Sequence, residues 1–166
     1  MKKFLAVLFS GIMLLMSLCG CGKDESSSSQ AELVCKRAGE EKYGYIDIPE
    51  EWEPYTDDSL ADQKLIQYSD SQGLGIVTLQ YVKDTDAQSF TLNLWGMLEE
   101  SVQELTSAVI EINGVKTYHL YGYVPDIQKI MGCWVLDDEK GVTHCITIEC
   151  AESRYFELAD TYRFDE

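Results

Sequence analysis

Basic residues are scarce in this 166-residue chain: 13 lysines and arginines stand against 29 aspartates and glutamates, a formal net charge of −16. A nucleic-acid surface needs a basic stripe to displace phosphate counterions, so nucleic acid is excluded as a partner. Three prolines and twelve glycines exclude collagen-like and Pro-rich architectures. Only two histidines occur, His119 and His144, with no His-x-x-x-His or Cys-x-x-Cys pair. The common zinc spacings are therefore absent, and neither a metal nor a cofactor is expected. Gly-x-Gly-x-x-Gly, Walker, Gly-x-Ser-x-Gly and Ser-x-x-Lys motifs are missing too. Asp57, Asp58 and Asp62 lack the glycine and closing glutamate of an EF-hand loop and read as solvated charge. What the chain does have is apolar material, 45% hydrophobic and 11% aromatic, enough for one packed domain.

The first apolar run is not part of that domain. Lys2 and Lys3 precede residues 4–19, which carry no charge. A basic n-region before an apolar h-region is the pattern of an export signal, and the run falls short of the roughly 20 residues a spanning helix needs. Leu18-Cys19-Gly20-Cys21 resembles the bacterial lipobox, which implies cleavage after residue 20 and a diacylglyceryl group on Cys21. Two acyl chains anchor stably where one binds only marginally. The chain is thus expected outside the cytoplasm, held to the membrane through lipid on Cys21. Residues 21–31, rich in serine, read as a flexible tether, nine residues of which span roughly 15–18 Å. Residues 32–166 are expected to form a single domain. Cleavage also removes Lys2 and Lys3, so the mature chain is more acidic still and repels anionic lipids and wall polymers.

Within the domain, strand patterns alternate around one helix. Residues 32–38 and 43–48 predict a hairpin about Gly39-Glu40-Glu41, closed by Pro49, which cannot donate to a ladder. Residues 64–68 and 74–83 predict two more strands. Thr85 and Gln88 have capping-box spacing. Phe90, Leu94, Met97, Leu98, Val102 and Leu105 then fall on one helical arc, predicting a long amphipathic helix. Residues 108–112 and 115–124 flank Asn113-Gly114, the strongest two-residue hairpin signal. Residues 129–137 and 142–150 flank Asp138-Glu139-Lys140-Gly141, and Ser153 can cap a short final helix.

The predicted class is α+β: an antiparallel sheet of about six to seven strands packed by a long central helix and a short C-terminal helix. In this order of elements the chain resembles the PsbP-like fold of bacterial lipoproteins and extrinsic photosynthetic subunits. The residues that carry the resemblance are Tyr45-Ile46-Asp47-Ile48-Pro49 with Trp52, Ile112-Asn113-Gly114-Val115 with Tyr118, and the closing Ala159-Asp160-Thr161-Tyr162-Arg163-Phe164. It covers residues 32–164. The family shares no active site to transfer, and its members serve as accessory or binding subunits. The resemblance therefore implies an accessory or binding module and no catalytic residues.

His119, Tyr121 and Tyr123 alternate on one strand, and Trp134 is placed on the same sheet face; these four are the candidate ligand face. Cys145, Thr147 and Glu149 are expected to share it, so a thiol enzyme built on Cys145 and His119 is a third reading beside the binding module and a structural or assembly module for envelope proteins. Taking residues 138–141 as a four-residue loop makes Trp134 face Cys145 and Cys133 face Ile146, which collects the apolar residues on one side. Cys133 and Cys145 then point to opposite faces and no pair among Cys133, Cys145 and Cys150 is bridged. A Cys35–Cys150 bond stays open.

Overall fold

In a computed structural model, residues 34–55, 64–151 and 153–165 are described. The export signal, Cys21, the tether, residues 32–33 and the acidic segment with Asp57, Asp58 and Asp62 lie outside them.

Two strands, β1 (Cys35–Glu40) and β2 (Gly44–Pro49), pair into a hairpin of their own. Its turn falls at residues 41–43, two later than the glycine suggests. The remaining strands form one seven-stranded sheet, antiparallel throughout. They are β3 (Glu53–Tyr55), β4 (Leu65–Ser69), β5 (Ile76–Val82), β6 (Gln103–Ile112), β7 (Val115–Val124), β8 (Lys129–Asp137) and β9 (Thr143–Cys150), in the order β3-β4-β5-β9-β8-β7-β6. The helix α1 (Ala87–Leu98) connects β5 to β6, and a 3₁₀ helix, Ser153–Thr161, follows β9.

This architecture corrects the expected α+β class. The chain is mostly β, and its helix is short: twelve residues, with only Ala87 and Thr91 buried. Met97, expected on the packed arc, is 65% exposed. The arc does not continue because Val102 and Leu105 belong to the entry into β6, where Glu104 takes a positive φ of 54°. Glu99 and Glu100 follow the last helical residue and no basic residue occupies the last turn. Acidic charge there opposes the negative end of the helix dipole and disfavours extension. The start differs as well. Asp86, not Thr85, caps the helix, accepting from Ser89 N–H at 2.8 Å, and Gln88 instead accepts from the Tyr118 hydroxyl. A second carboxylate, Asp137 of β8, accepts from Ala87 N–H at 2.9 Å and from the Thr143 hydroxyl at 2.6 Å, which ties the helix start to the sheet.

Both faces of the central strands are covered. On one, α1 packs through Phe90, Leu94 and Leu98 near Leu120, Cys133, Val135 and Cys145. On the other, Ile46, Ile48 and Trp52 of the hairpin segment and Leu158, Ala159 and Tyr162 of the chain end meet Val77, Leu79, Leu136, Ile146 and Ile148. Burying each large apolar side chain contributes about 1.5–3 kcal/mol, and this second layer holds most of the large ones.

The β8–β9 register also departs from expectation, by one residue. Asp137 pairs with Thr143, Val135 with Cys145, and Cys133 with Thr147. The loop closes through Asp138: its N–H donates to Val142 C=O at 2.9 Å, and its Oδ1 accepts from the N–H groups of Lys140 and Val142. Gly141 takes φ 73°, so a turn followed by a left-handed residue spans only residues 139–141. One residue of slip moves every side chain to the other face. Cys133 and Cys145 therefore share the helix-covered face rather than opposing ones, each within reach of Thr147 Oγ1, at 3.5 and 3.7 Å. Both are free thiols.

Candidate functional site

Strand alternation brings three of the four expected ligand-face residues together. His119 and Trp134 are direct partners across β7 and β8, and their rings stack at 4.7 Å with an interplanar angle of 18°. Tyr121 follows two residues on, 6.2 Å from His119, and Phe156 of the 3₁₀ helix closes against both Tyr121 and Trp134. Gly132 makes room for this closure, since a Cβ there would stand 2.6 Å from the Trp134 ring and 3.1 Å from Phe156. Tyr123 stands on the same face but is 38% exposed and outside the stack. Trp134 is 4% exposed, so the cluster works as packing between sheet and chain end and offers little open ring surface. Burial lowers the His119 pKa and favours the neutral ring.

The expected company of Cys145, Thr147 and Glu149 does not join it. The observed register sends these residues to the helix-covered face, across the sheet from His119. A Cys145–His119 couple has no geometry here. Burial pushes the Cys145 thiol up to about 11 and raises Cys133 further, the opposite of an activated thiolate.

A different constellation, missed in the sequence, lies at the other end of the same strands. Tyr81 of β5 pairs with His144 of β9, so both project toward the hairpin side. Tyr43, from the hairpin turn, meets the Tyr81 ring at 5.6 Å. Tyr162 reaches in from the chain end, held there by reciprocal backbone bonds between Tyr45 and Arg163 at 2.8 and 2.9 Å. Its hydroxyl donates to Tyr43 C=O at 2.8 Å and lies 3.0 Å from His144 Nδ1. Only a glycine at 44 permits this approach: its φ is +83°, and a Cβ would fall 2.2 Å from the phenol oxygen.

His144 is 4% exposed. Its Nε2 stands 3.5 Å from Asp138 Oδ2 without hydrogen-bond alignment, and among the described residues it has no hydrogen-bond partner. Burial lowers the His144 pKa, against the opposing pull of Asp138. Proton positions follow from the donors. With the Tyr162 proton on the Tyr43 carbonyl, Nδ1–H donates to the phenol oxygen, which leaves Nε2 as the free basic nitrogen, 3.5 Å from Asp138 Oδ2. The ring is thus neutral at neutral pH but placed to accept a proton beside a carboxylate.

This histidine forms the floor of a two-lobed cleft. The larger lobe, about 910 Å³, runs between Tyr45, Phe164, Lys116 and the Asp138 loop; the smaller, about 560 Å³, runs over Tyr81 between Lys42, Lys83 and Lys140. His144, Asp138, Glu41 and Lys140 border both. Volumes of this size suit small-molecule ligands. Among the described residues no group of three or more His, Cys, Asp or Glu is arranged to hold a metal, and no helix is long and apolar enough to cross a membrane. Neither a protein-family model nor a curated protein matches the chain.

Proposed function

We propose that this protein is a bacterial envelope lipoprotein of the accessory, ligand-binding kind, held outside the cytoplasm by lipid on Cys21. In this reading it receives a small molecule in the cleft above His144 and performs no catalysis. The observation that carries it is that cleft, with a nearly buried histidine on its floor and charged side chains on its rim. The lipobox-like Leu18-Cys19-Gly20-Cys21 supports the location. Two experiments test it. Palmitate labelling and membrane fractionation of Cys21→Ala are expected to show loss of label and release to the soluble fraction; a variant that stays with membranes after a salt wash refutes the anchor. A small-molecule screen read by backbone resonances of the full-length protein is expected to find ligands that shift His144 and Tyr81; shifts confined to other surfaces refute the cleft.

An assembly module for envelope complexes is the second reading. Its support is β6, an edge strand of ten residues with Val109 60% exposed, a template onto which another extended chain can pair. Crosslinking from position 109 to an envelope protein, with the cleft unresponsive to ligands, is the result that would favour it.

A further inference from the structure

The smaller lobe gathers lysines in a chain that has few. The segments that flank the strand ends around Tyr81 each bring a lysine to it. Tyr81 N–H donates to Lys64 C=O, which sets Lys64, just before β4, opposite Tyr81; Lys83 follows the last residue of β5, two residues beyond Tyr81; Lys42 belongs to the hairpin turn. Their ammonium groups lie 4.7 Å (Lys42), 5.5 Å (Lys64) and 5.9 Å (Lys83) from the Tyr81 ring centroid. Lys140 borders the lobe from the Asp138 loop. Three of the 13 basic residues thus approach one buried ring and a fourth borders the same lobe, in a chain with 29 acidic side chains.

With acidic partners in such excess, lysines left to themselves would be expected to pair. Among the described residues the Lys or Arg ion pairs are Lys36–Glu53 and Arg37–Asp47, and none of the four lysines takes part in one. Asp138, which also borders the lobe, is committed to its loop amides and faces His144. Glu40 and Glu41 stand on the rim and are exposed, where water screens them. The ring quadrupole attracts each ammonium, yet the ammoniums repel one another. Lys42 Nζ also donates to the Tyr43 hydroxyl at 3.3 Å, and an anion among the ammoniums would relieve their mutual repulsion.

We propose that the lobe over Tyr81 binds a compact phosphate-bearing ligand, with Lys42, Lys83 and Lys140 as its direct partners and Lys64 adding charge from beside the Tyr81 ring. This deepens the reading of the cleft as the ligand site and rests on it. Three lysines lining one lobe from separate segments, Lys42, Lys83 and Lys140, match the several acceptor oxygens of a tetrahedral phosphate better than the two of a carboxylate. The net charge of −16 sets the size: extended polyanions are repelled at long range, whereas a small anion can reach the lysines of the lobe. The phosphate can belong to a soluble metabolite or to a lipid headgroup, since the chemistry met by the lysines is the same.

The test is a titration of the full-length, isotope-labelled protein with inorganic phosphate at constant ionic strength, following the backbone resonances of Tyr81, Lys83 and His144. Saturable shifts are expected, at least ten-fold weaker in Lys83→Gln and lost in Lys42→Gln/Lys83→Gln/Lys140→Gln. These lysines are exposed, so the variants are expected to keep the native melting transition, and circular dichroism checks that they do. No saturable shift, or equal affinity in the triple variant, overturns the proposal. Nanodiscs of phosphatidylcholine alone, compared with equal parts phosphatidylcholine and phosphatidylglycerol, separate the sources: the same resonances moving only in the mixed discs assigns a headgroup, and movement only with dissolved phosphate assigns a soluble ligand. If neutral or cationic compounds shift His144 while phosphate does not, the cleft reading survives and this inference falls. If nothing shifts these residues, both fall.

Discussion

Replacing Tyr162 by phenylalanine removes one oxygen and leaves the ring. Tyr162 is 1% exposed, and its ring packs edge-on against Phe164 at 5.6 Å and tilted toward His144 at 6.2 Å, contacts that phenylalanine retains. No cavity of consequence opens, so the change isolates the hydroxyl. That hydroxyl donates to Tyr43 C=O and stands 3.0 Å from His144 Nδ1. Without it, a buried carbonyl and a buried ring nitrogen each lose a partner, at a cost of about 1–3 kcal/mol per group left unsatisfied. The loss is partly offset because a desolvated hydroxyl is no longer carried. The expected net destabilisation is about 2–3 kcal/mol, a large share of the roughly 5–15 kcal/mol that holds a domain folded. In urea, with an m-value of about 1–3 kcal/mol/M, the midpoint falls by on the order of 1 M while m stays constant. A double-mutant cycle with His144→Gln adds a second measure, with a coupling energy above about 0.5 kcal/mol expected for groups in one hydrogen-bonded chain. A shift below about 0.5 kcal/mol, or additivity in the cycle, would refute the chain of bonds from Tyr43 through Tyr162 to His144.

Four further outcomes are expected. Gly44→Ala combines a strained backbone with a Cβ 2.2 Å from the Tyr162 oxygen, so it costs about 2–5 kcal/mol in denaturant unfolding; wild-type stability would show that the phenol does not sit there. Asp137→Ala strips the first amide of α1 and the Thr143 hydroxyl of their acceptor, costing about 2–3 kcal/mol and speeding amide exchange over residues 87–91; unchanged exchange there refutes the tie. Burial depresses both His119 and His144 below the 6.5 that each regains on unfolding, so the unfolded chain takes up protons first as pH falls. Stability is therefore level above about pH 7 and declines below 6.5 toward the depressed folded values, and melting temperatures that stay flat from pH 7.5 to 5 would contradict it. Cys133 and Cys145, buried and with raised thiol pKa values, are expected to resist iodoacetamide at pH 8 until the domain unfolds; mass spectra showing either thiol labelled at the rate of a free thiol would place it at the surface.

The parts of this fold that were legible in the sequence are those where one residue dictates its own backbone. Asn113 and Gly114 take φ values of 49° and 81°, as their dipeptide requires, and Pro49 ends its strand. The register of β8 and β9 was not legible, for a physical reason. Alternation reports a register only when one face of a strand is wet, and residues 131–136 of β8 are buried on both. Collecting apolar residues on a single face was then the wrong criterion, because α1 covers one face and the hairpin and chain end cover the other. Pairing was decided in the loop, where the Asp138 carboxylate takes two amides and shortens the turn by one residue. The two candidate sites divide along the same line. The His119–Trp134 stack joins neighbouring strands, so local alternation could place three of its residues. The cleft draws on the hairpin turn, β5, β9 and the chain end, and the bond that organises it spans 119 positions, from Tyr43 to Tyr162. Nothing periodic marks such a meeting. A signal was present nonetheless in Tyr43-Gly44: a glycine opening a strand beside a tyrosine has a conformational cost, which is justified when another group needs the space its side chain would fill. The group is the Tyr162 hydroxyl, so the closing segment of the chain is a structural wall of the cleft, and His144 has its floor position because that wall is there.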